Sequence, residues 1–301
     1  MSNILVAGNV NIETTLRVEK FPIEYSSVNH CSFGINSEVS GVSYNVARSL
    51  KTLGSQVRLA AMTATDTLSE VVIARLKSEG FDPTFLSQQL AQTPQAVVIY
   101  DPGGQRQTNT DLKNLQEQEY PVAWLEQALA DCALFIPGNV NFARPWLAMA
   151  QARYIPIASD IQAPDSLDNP FNLDFMRVAH TLFLSNDNLH DTPENAVRQL
   201  LQKFGMEIIV MGLGAQGVLL SVKADNFLER IPSVYTRSVV NTSGAGDALF
   251  AAFNHFYQQT QDPYAAIKKA QVFASYKIGE NGSSKGFLSE AELEKWQTKL
   301  K

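Results

Sequence analysis

Short apolar runs alternate with stretches of helical spacing along most of this chain. Apolar, β-rich runs occur at residues 4–10, 57–62, 133–136, 156–159, 180–184 and 207–211. Helical spacing of apolar residues occurs between them, at 41–53, 71–80, 121–129 and 193–204. Parallel strands that are joined by crossover helices explain this order most economically. The chain is therefore predicted to have an α/β fold with a doubly wound, mostly parallel sheet.

Two segments interrupt this alternation, at about 12–39 and 96–112. Both contain short pieces of alternating apolar and polar residues, and the second includes a Pro102-Gly103 turn signal. We expect these pieces to form hairpins outside the main sheet, as a small β-sheet lid. Since no repeat, low-complexity tract or Pro/Ser-rich linker divides the chain, residues 1–301 are predicted to form one domain.

Composition argues against several classes of partner. The formal net charge is -6 and no run of Lys and Arg is present, so nucleic acid is not an expected partner. No apolar stretch approaches the roughly 20 residues that cross a bilayer, so a membrane is not expected either. Cys31 and Cys132 lie far apart without metal-ligand spacing, and no charged-then-apolar leader precedes the first strand. A reducing cytoplasm fits these features best.

The strongest candidate for chemistry lies just before the apolar stretch 248–256. The N–H groups of Gly244, Ala245 and Gly246 would face outward at a helix N-terminus, where the macrodipole favours an anion. Asp247 would direct a carboxylate into the same space. This pairing suits phosphoryl transfer to an alcohol, because one group deprotonates the hydroxyl while the others absorb charge on the phosphoryl oxygens. On spacing alone, Asp247 could equally be a carboxylate that the helix dipole favours, with the glycines making a tight turn.

A second glycine cluster, at 212–217, literally matches the dinucleotide-binding fingerprint and follows the strand at 207–211. That fingerprint requires a helix after its third glycine, whereas residues 218–222 are β-rich. The cluster therefore predicts a turn between two strands. Its glycines either let a nucleotide approach the backbone or only make the turn. The P-loop pattern is absent, so a kinase here would not belong to the P-loop class.

Four motifs, in the same order, resemble those of the ribokinase-like, or PfkB, family of sugar and nucleoside kinases. Residues 8–13, followed by Phe21-Pro22, look like the family's first strand and substrate-binding turn. Residues 40–47 are similar to its first signature, and Gly54 fits the glycine that ends the next helix. Residues 214–217 resemble its nucleotide-binding turn, and residues 241–247 resemble its second signature. The resemblance covers nearly the whole chain.

This resemblance implies a three-layer α/β/α sandwich with a β-sheet lid. It also implies ATP- and Mg²⁺-dependent phosphorylation of a hydroxymethyl group on a small sugar or nucleoside, and a homodimer through the lid. Asp247 would be the general base, and residues 244–246 would form the anion hole. Substrate hydroxyls would be held by Asn11, Glu13, Gly41 and Asn45. The nucleotide would be lined by Asn186, Gly212, Gly214, Gly217 and Gln271.

Several of these residues also have a purely structural interpretation. Asn11 and Asn45 could be turn or capping residues, and Gln271 could face solvent from a helix. The side chains that select the substrate are expected among Tyr44, Tyr100, Arg106 and Asn109. For Tyr44, burial in the core is the stronger interpretation.

The chain departs from the family pattern at three positions. Asn241 stands where the family commonly has Asp, a carboxylate associated with a monovalent cation, which argues against activation by K⁺. The family's Asn-x-x-Glu motif, linked to magnesium and phosphate, ends here in Leu189. We therefore expect Mg²⁺ to be held through water and phosphate, with Asp187 as a substitute carboxylate. Glu13 replaces the usual Asp and moves its carboxylate outward by one methylene, so the sequence does not choose between a sugar and a nucleoside.

Two other classes of function compete with a kinase. A sugar- or nucleotide-binding protein with the same fold and little or no catalysis would explain the residues at 189 and 241. A dinucleotide-dependent oxidoreductase would explain the literal glycine fingerprint at 212–217, although the β-rich residues after it oppose that function.

Overall fold

The computed structural model describes residues 3–300. Thirteen strands occur in this range: β1 Asn3–Ala7, β2 Asn11–Arg17, β3 Ile35–Ser40, β4 Gln56–Thr63, β5 Leu86–Gln88, β6 Gln95–Tyr100, β7 Arg106–Asp111, β8 Cys132–Pro137, β9 Ala158–Asp160, β10 Thr181–Ser185, β11 Ile208–Gly212, β12 Val218–Val222 and β13 Phe227–Ile231. Nine α-helices occur in the same range: α1 Val42–Thr52, α2 Thr67–Ser78, α3 Val122–Ala128, α4 Arg144–Ala152, α5 Pro170–Val178, α6 Pro193–Phe204, α7 Ala245–Thr260, α8 Pro263–Lys277 and α9 Glu290–Lys299.

The central sheet is built from two groups of strands that meet at one bridge. The first group has the order β5-β4-β1-β8, and the second has the order β9-β10-β11-β12-β13. A parallel bridge between Phe135 and Ile157 joins β8 to the segment that enters β9. Within this central sheet, the neighbouring strands β5, β4, β1, β8, β9, β10 and β11 are all parallel to one another. The pairs β11–β12 and β12–β13 are antiparallel. The predicted mostly parallel, doubly wound sheet is therefore confirmed.

Helices cover both faces of this sheet. Along β1, Ile4 and Val6 enter one hydrophobic core, while Leu5 and Ala7 enter the other, because successive side chains of a strand point to opposite faces. The first core is completed by α1, α2, α7, α8 and α9, and the second by α3 to α6. The chain thus forms a three-layer α/β/α sandwich.

Four further strands form a separate sheet with the order β3-β2-β6-β7. They come from the two segments that interrupt the α/β alternation in the sequence. On the inner face of this sheet, Glu13, Thr15 and Val98 are buried, whereas Ile35 and Val97 on the outer face are exposed. Only residues 8–10 connect β2 to β1, so the sheet begins directly at the carboxyl end of β1.

Some element boundaries differ from those that the sequence predicts. The expected strand at 4–10 ends at Ala7, and residues 8–10 form a connection. Helix α2 begins at Thr67 rather than at 71, because the Asp66 side chain accepts a hydrogen bond from Ser69 N and caps the helix. Helix α9 has no counterpart in the sequence prediction, and α8 is represented there only by the alternative that Gln271 lies on a helix, without bounds. No helix within residues 3–300 is long and apolar enough to cross a membrane.

Candidate active site

Two glycines mark the point where the strand order reverses, between β1 and β8. Gly138 N donates a hydrogen bond to Ala7 O at 2.6 Å. A Cβ atom on Gly8 would overlap the hydroxyl of Ser43, and a Cβ on Gly138 would lie 2.5 Å from the same hydroxyl. A side chain at either position would therefore require Ser43 to move. Open α/β sheets bind ligands at such a reversal, outside the carboxyl ends of the strands.

The turn before α7 has the properties of an anion site. Gly244 adopts φ 73°, and a Cβ there would overlap the main-chain oxygen of Ser283. Ala245 opens the helix, and its N–H donates to Thr242 O at 3.2 Å. A Cβ on Gly246 would meet no atom within 4 Å, so the space beside this residue is open. The first N–H groups of a helix have no acceptor within the helix, and the macrodipole makes this end positive.

Asp247 lies in the first turn of α7, beside this open space. Its Oδ2 accepts a hydrogen bond from Asn45 Nδ2 at 2.8 Å. Burial raises the pKa of Asp247 to about 7; the charges of Asp160 and Glu13 also raise it, whereas the Asn45 hydrogen bond and the charge of Lys277 oppose the increase. A carboxylate whose pKa lies near neutrality is suited to accept a proton from a hydroxyl.

Buried polar groups on the inner face of the separate sheet face the same region. Glu13 accepts hydrogen bonds from Ser40 Oγ at 3.2 Å and from Ser283 Oγ. Burial raises the pKa of Glu13, and the charge of Glu38 adds to this effect. Asn11 is buried, and its Oδ1 has no hydrogen-bond partner among residues 3–300. Since buried polar atoms are normally paired, this amide oxygen is a candidate acceptor for a ligand hydroxyl.

The start of α1 connects these groups to Asp247. Gly41 caps the helix with φ 112°, and a Cβ there would lie 2.7 Å from Asn9 O, so only glycine fits. Asn45 Oδ1 accepts a hydrogen bond from Ser40 Oγ at 3.3 Å, while the amide nitrogen binds Asp247. Asn45 lies inside α1, so its interpretation as a capping residue is wrong.

The glycine cluster forms the turn between β11 and β12. A short 3-10 helix spans 214–216 and a strand follows at once, so the structure lacks the helix that a dinucleotide fingerprint needs. Gly217 has φ 97°, and its Cβ would overlap Ile231 O, so close packing against β13 requires a glycine there. Gly214 has φ 57° and open space around it, so its backbone is accessible. Gly212 is the last residue of β11.

The segment after β10 explains the departure from the Asn-x-x-Glu motif. Leu189 is partly buried and packs against the second hydrophobic core. Asn186 N donates a hydrogen bond to Gly212 O at 3.2 Å, so the predicted nucleotide-binding Asn186 lies beside the glycine turn. Asp187 is exposed. The residue at 189 therefore contributes to packing, and the carboxylates available near these strand ends are those of Asp187 and Asp160.

Two predicted ligand-facing side chains have structural partners. Gln271 is buried and donates from Nε2 to Ile231 O at 3.2 Å, so the interpretation that it faces solvent is wrong. Tyr44 is completely buried and donates its hydroxyl hydrogen to Glu79 at 2.7 Å, which confirms its place in the core and removes it from the substrate-selecting set. The other members of that set lie on the separate sheet, with Tyr100 buried and Arg106 and Asn109 exposed.

Sequence reasoning missed two charged residues of this region. Asp160 ends β9, and burial raises its pKa to about 6. Its signal was its place at the end of a predicted parallel strand, where α/β proteins collect functional groups. Lys277 ends α8 and is completely buried, with a pKa that burial lowers to about 8. No comparable signal marked Lys277, because no bounds were predicted for α8.

Known proteins share both the sequence pattern and the fold. The family model described as pfkB family carbohydrate kinase matches residues 1–290. A deoxyribokinase of Salmonella typhi is 33% identical over 100 residues, which are 33% of this chain and 31% of that protein. A ribokinase of Dictyostelium discoideum is 23% identical over 97% of this chain and 99% of its own length. The solved structure of a microbiome-derived acarbose kinase superposes with a TM-score of 0.88 at 21% identity and covers 99% of both chains, which shows a shared fold.

Proposed function

Since this chain belongs to the pfkB family of carbohydrate kinases, we propose that it transfers the terminal phosphate of ATP to a hydroxymethyl group of a small sugar or nucleoside. One observation carries this proposal. Asp247, with a pKa of about 7, lies next to the open turn of residues 244–246 at the N-terminus of α7. A base for the hydroxyl and a cradle for the phosphate are thus adjacent, as transfer to an alcohol requires.

In the proposed reaction, Asp247 accepts the proton of the attacking hydroxyl. A bond then forms between the substrate oxygen and the terminal phosphorus, while the bond from that phosphorus to the bridging oxygen of ATP breaks and leaves ADP. The N–H groups of residues 244–246 would stabilise the charge that develops on the phosphoryl oxygens, and the N–H of Ala245 would exchange Thr242 O for the phosphate. Catalysis of this kind depends mainly on positioning and on fixed electrostatic groups.

Polar groups on two elements would hold the substrate. Asn11 and Glu13 on β2 provide an unpaired amide oxygen and a buried carboxylate, which can grip adjacent hydroxyl groups of a polyol. Gly41 would bind the substrate through its backbone, which packs closely against the main chain of Asn9 at the start of α1. Asn45 would bind the substrate while its amide nitrogen orients Asp247.

The nucleotide would lie along the turn between β11 and β12. Gly214 offers an accessible backbone. Gly212 and Asn186 lie beside this turn, where Asn186 N donates a hydrogen bond to Gly212 O. Gly217 and Gln271 would act by fixing this turn against Ile231 at the end of β13.

The family implies a divalent metal with the nucleotide, and we propose Mg²⁺. Within residues 3–300, no group of three His, Cys, Asp or Glu side chains could hold a metal ion alone. The carboxylates of Asp160 and Asp187 suit Mg²⁺, because this ion prefers oxygen ligands, commonly keeps several waters and binds through one or two carboxylates and the substrate phosphates. Asp160 and Asp187, which end or follow the adjacent strands β9 and β10, would orient its waters. The bound ion would offset charge on the phosphates.

The separate sheet would act as a lid that excludes water from the transfer step. Its outer face carries an apolar strip of Leu16, Ile35, Val97 and Ile99, in which Leu16 pairs with Ile35 on β3 and with Ile99 on β6. Ile35 is 61% exposed and Val97 is 41% exposed. We propose that a second copy of the chain covers this strip, and sedimentation of Ile35→Lys should then give a lighter species than the wild-type protein. An unchanged sedimentation coefficient would argue against this dimer.

An acceptor screen tests the proposed function. ATP consumption would be measured with ribose, deoxyribose, fructose, ketohexonates and a panel of nucleosides, and each product would be identified by its mass and its phosphorylated position. We expect phosphate on a hydroxymethyl oxygen of one acceptor class. Binding of ATP and an acceptor by calorimetry with no product from any of them would favour a non-catalytic binding protein.

A further inference from the structure

Lys277 is the last residue of α8, and its side chain is 0% exposed. Lysine is almost never fully buried unless its charge is compensated, because an ammonium group loses its hydration inside a protein. Here Nζ donates hydrogen bonds to the main-chain oxygen of Gly282 at 2.7 Å and to that of Ser243. The buried ammonium group is thus held by main-chain oxygens.

These two oxygens belong to the two loops that shape the anion turn. Ser243 immediately precedes Gly244, and Gly282 precedes Ser283, whose main-chain oxygen packs directly against Gly244. The hydroxyl of Ser283 also donates a hydrogen bond to Glu13 on the substrate side. The ammonium group therefore fixes the phosphate-binding turn relative to the loop that contacts the substrate-binding carboxylate.

The charges around Lys277 are mainly negative. Burial lowers its pKa to about 8, and this effect exceeds that of the carboxylates of Asp247, Glu13 and Glu38, which favour the charged form. The guanidinium group of Arg106 acts in the same direction as burial. These carboxylates and the two main-chain oxygens that accept from Nζ favour the ammonium form.

Asn241 shapes the same two loops without adding a charge. Its Oδ1 accepts a hydrogen bond from Ser243 N at 2.8 Å, and its Nδ2 donates to Asn281 Oδ1 at 3.2 Å. Main-chain oxygens that converge on one point can replace the hydration shell of a monovalent cation such as K⁺. In this chain that point is filled by an ammonium group that is covalently attached to α8.

We propose that Lys277 is a built-in monovalent cation that fixes the anion turn and makes phosphoryl transfer independent of dissolved K⁺. The inference rests on the proposed kinase function. Lys277 is a positioning residue in this account, because it acts on the transferred phosphate through the backbone of Ser243 and Gly244.

The test replaces Lys277 in two ways. Lys277→Ala opens the space beside the two carbonyl oxygens, whereas Lys277→Met fills it with an uncharged chain of similar length. Lys268→Ala, at an exposed position of the same helix, is the matched control. The wild-type protein should phosphorylate its acceptor equally fast in potassium and tetramethylammonium salts at the same ionic strength. Activation of the wild-type protein by K⁺ would overturn the proposal.

Chemical rescue distinguishes this role from a purely structural one. Lys277→Ala should lose about 10²–10³ in kcat, the range expected for a damaged anion hole. Because NH₄⁺ and K⁺ can occupy the opened space, they should restore part of the lost activity in a saturable manner. Lys277→Met should be inactive and should not respond. Wild-type activity in the methionine variant would contradict the proposal.

Thermal unfolding separates the failure of this inference from failure of the proposed function. A cation that binds the folded state stabilises it, so NH₄⁺ or K⁺ should raise the Tm of Lys277→Ala above its value in tetramethylammonium. The wild-type protein and Lys268→Ala should show no such difference. A lack of kinase activity in the wild-type protein would overturn the proposed function alone. An unchanged Tm of Lys277→Ala in the presence of NH₄⁺ and of K⁺ would overturn the proposed role of Lys277. If neither variant folds in any salt, the effect of K⁺ on the activity of the wild-type protein tests the proposal, and activation by K⁺ overturns it.

Discussion

Asp247 owes its proposed chemistry to its neighbours more than to its place in the first turn of a helix. A helix N-terminus lowers the pKa of a carboxyl group, yet burial raises that of Asp247 to about 7, and the nearby Asp160 and Glu13 contribute in the same direction. The positive end of α7 is then available for the phosphate. The interpretation of Asp247 as a simple helix-start carboxylate does not account for this raised pKa.

The pH dependence of kcat/KM follows from this arrangement. Asp247 must be deprotonated to accept a proton, so kcat/KM should rise with pH and level off above about 7. Asp160→Asn removes a negative neighbour and makes deprotonation easier, so the rise should move to lower pH. Asn45→Ala removes a donor that stabilises the carboxylate, so the rise should move to higher pH.

The measurement is kcat/KM from pH-rate profiles of the wild-type protein and both variants at one ionic strength. Both variants alter the same carboxyl group, but in opposite directions, so each serves as the control for the other. Shifts of the same sign in both variants, or none, would show that a different group controls the profile.

At the level of secondary-structure elements, the anion turn depends on two loops that meet at Gly244. A Cβ at this position would overlap Ser283 O, and φ is 73°. Gly244→Ala should therefore displace the turn and lower kcat about 10²–10³, the loss typical when one donor of such a hole is misplaced. Gly54→Ala provides a matched control, because Gly54 also has positive φ, at 101°, but has open space around it at the end of α1.

Steady-state kinetics and ATP binding by calorimetry would be compared for both glycine variants. Gly54→Ala should show a lower Tm with nearly normal kcat, because its strain lies away from the cleft. Equal loss of kcat in the two variants would indicate that backbone strain, rather than the anion turn, causes the effect.

The sequence predicted those elements whose ends carry local signals. Helix α6 matches its predicted range because Thr192 caps it, Pro193 opens it and Gly205 ends it in the left-handed conformation. The bounds of helix α8 were not predicted, because it buries polar residues such as Gln271 and Lys277, and a helix that is buried on several sides lacks a clear apolar period. The four motifs predicted most residues of the candidate site. Asp160 and Lys277 were identified only from the structure, because they come from segments that are distant from these motifs in sequence.

At the scale of the whole molecule, the proposed lid should close over the substrate. Strand β7 is exposed at all six residues of Arg106–Asp111, whereas β12 in the central sheet is buried throughout. Amide hydrogen exchange should therefore slow in β2, β3, β6 and β7 when an acceptor and a non-hydrolysable ATP analogue bind together. The strands β10 and β12 are internal controls and should change little. Equal protection in the lid and the central strands would indicate general stabilisation instead of closure.

The central claim is that Asp247 is the base of a sugar or nucleoside kinase, and Asp247→Asn tests it most directly. The variant keeps the size of the side chain and removes its ability to accept the proton. We predict that kcat falls by about 10²–10⁴, the usual contribution of a general base, while calorimetry shows nearly unchanged affinity for ATP and acceptor. Turnover by Asp247→Asn at the rate of the wild-type protein would contradict the account.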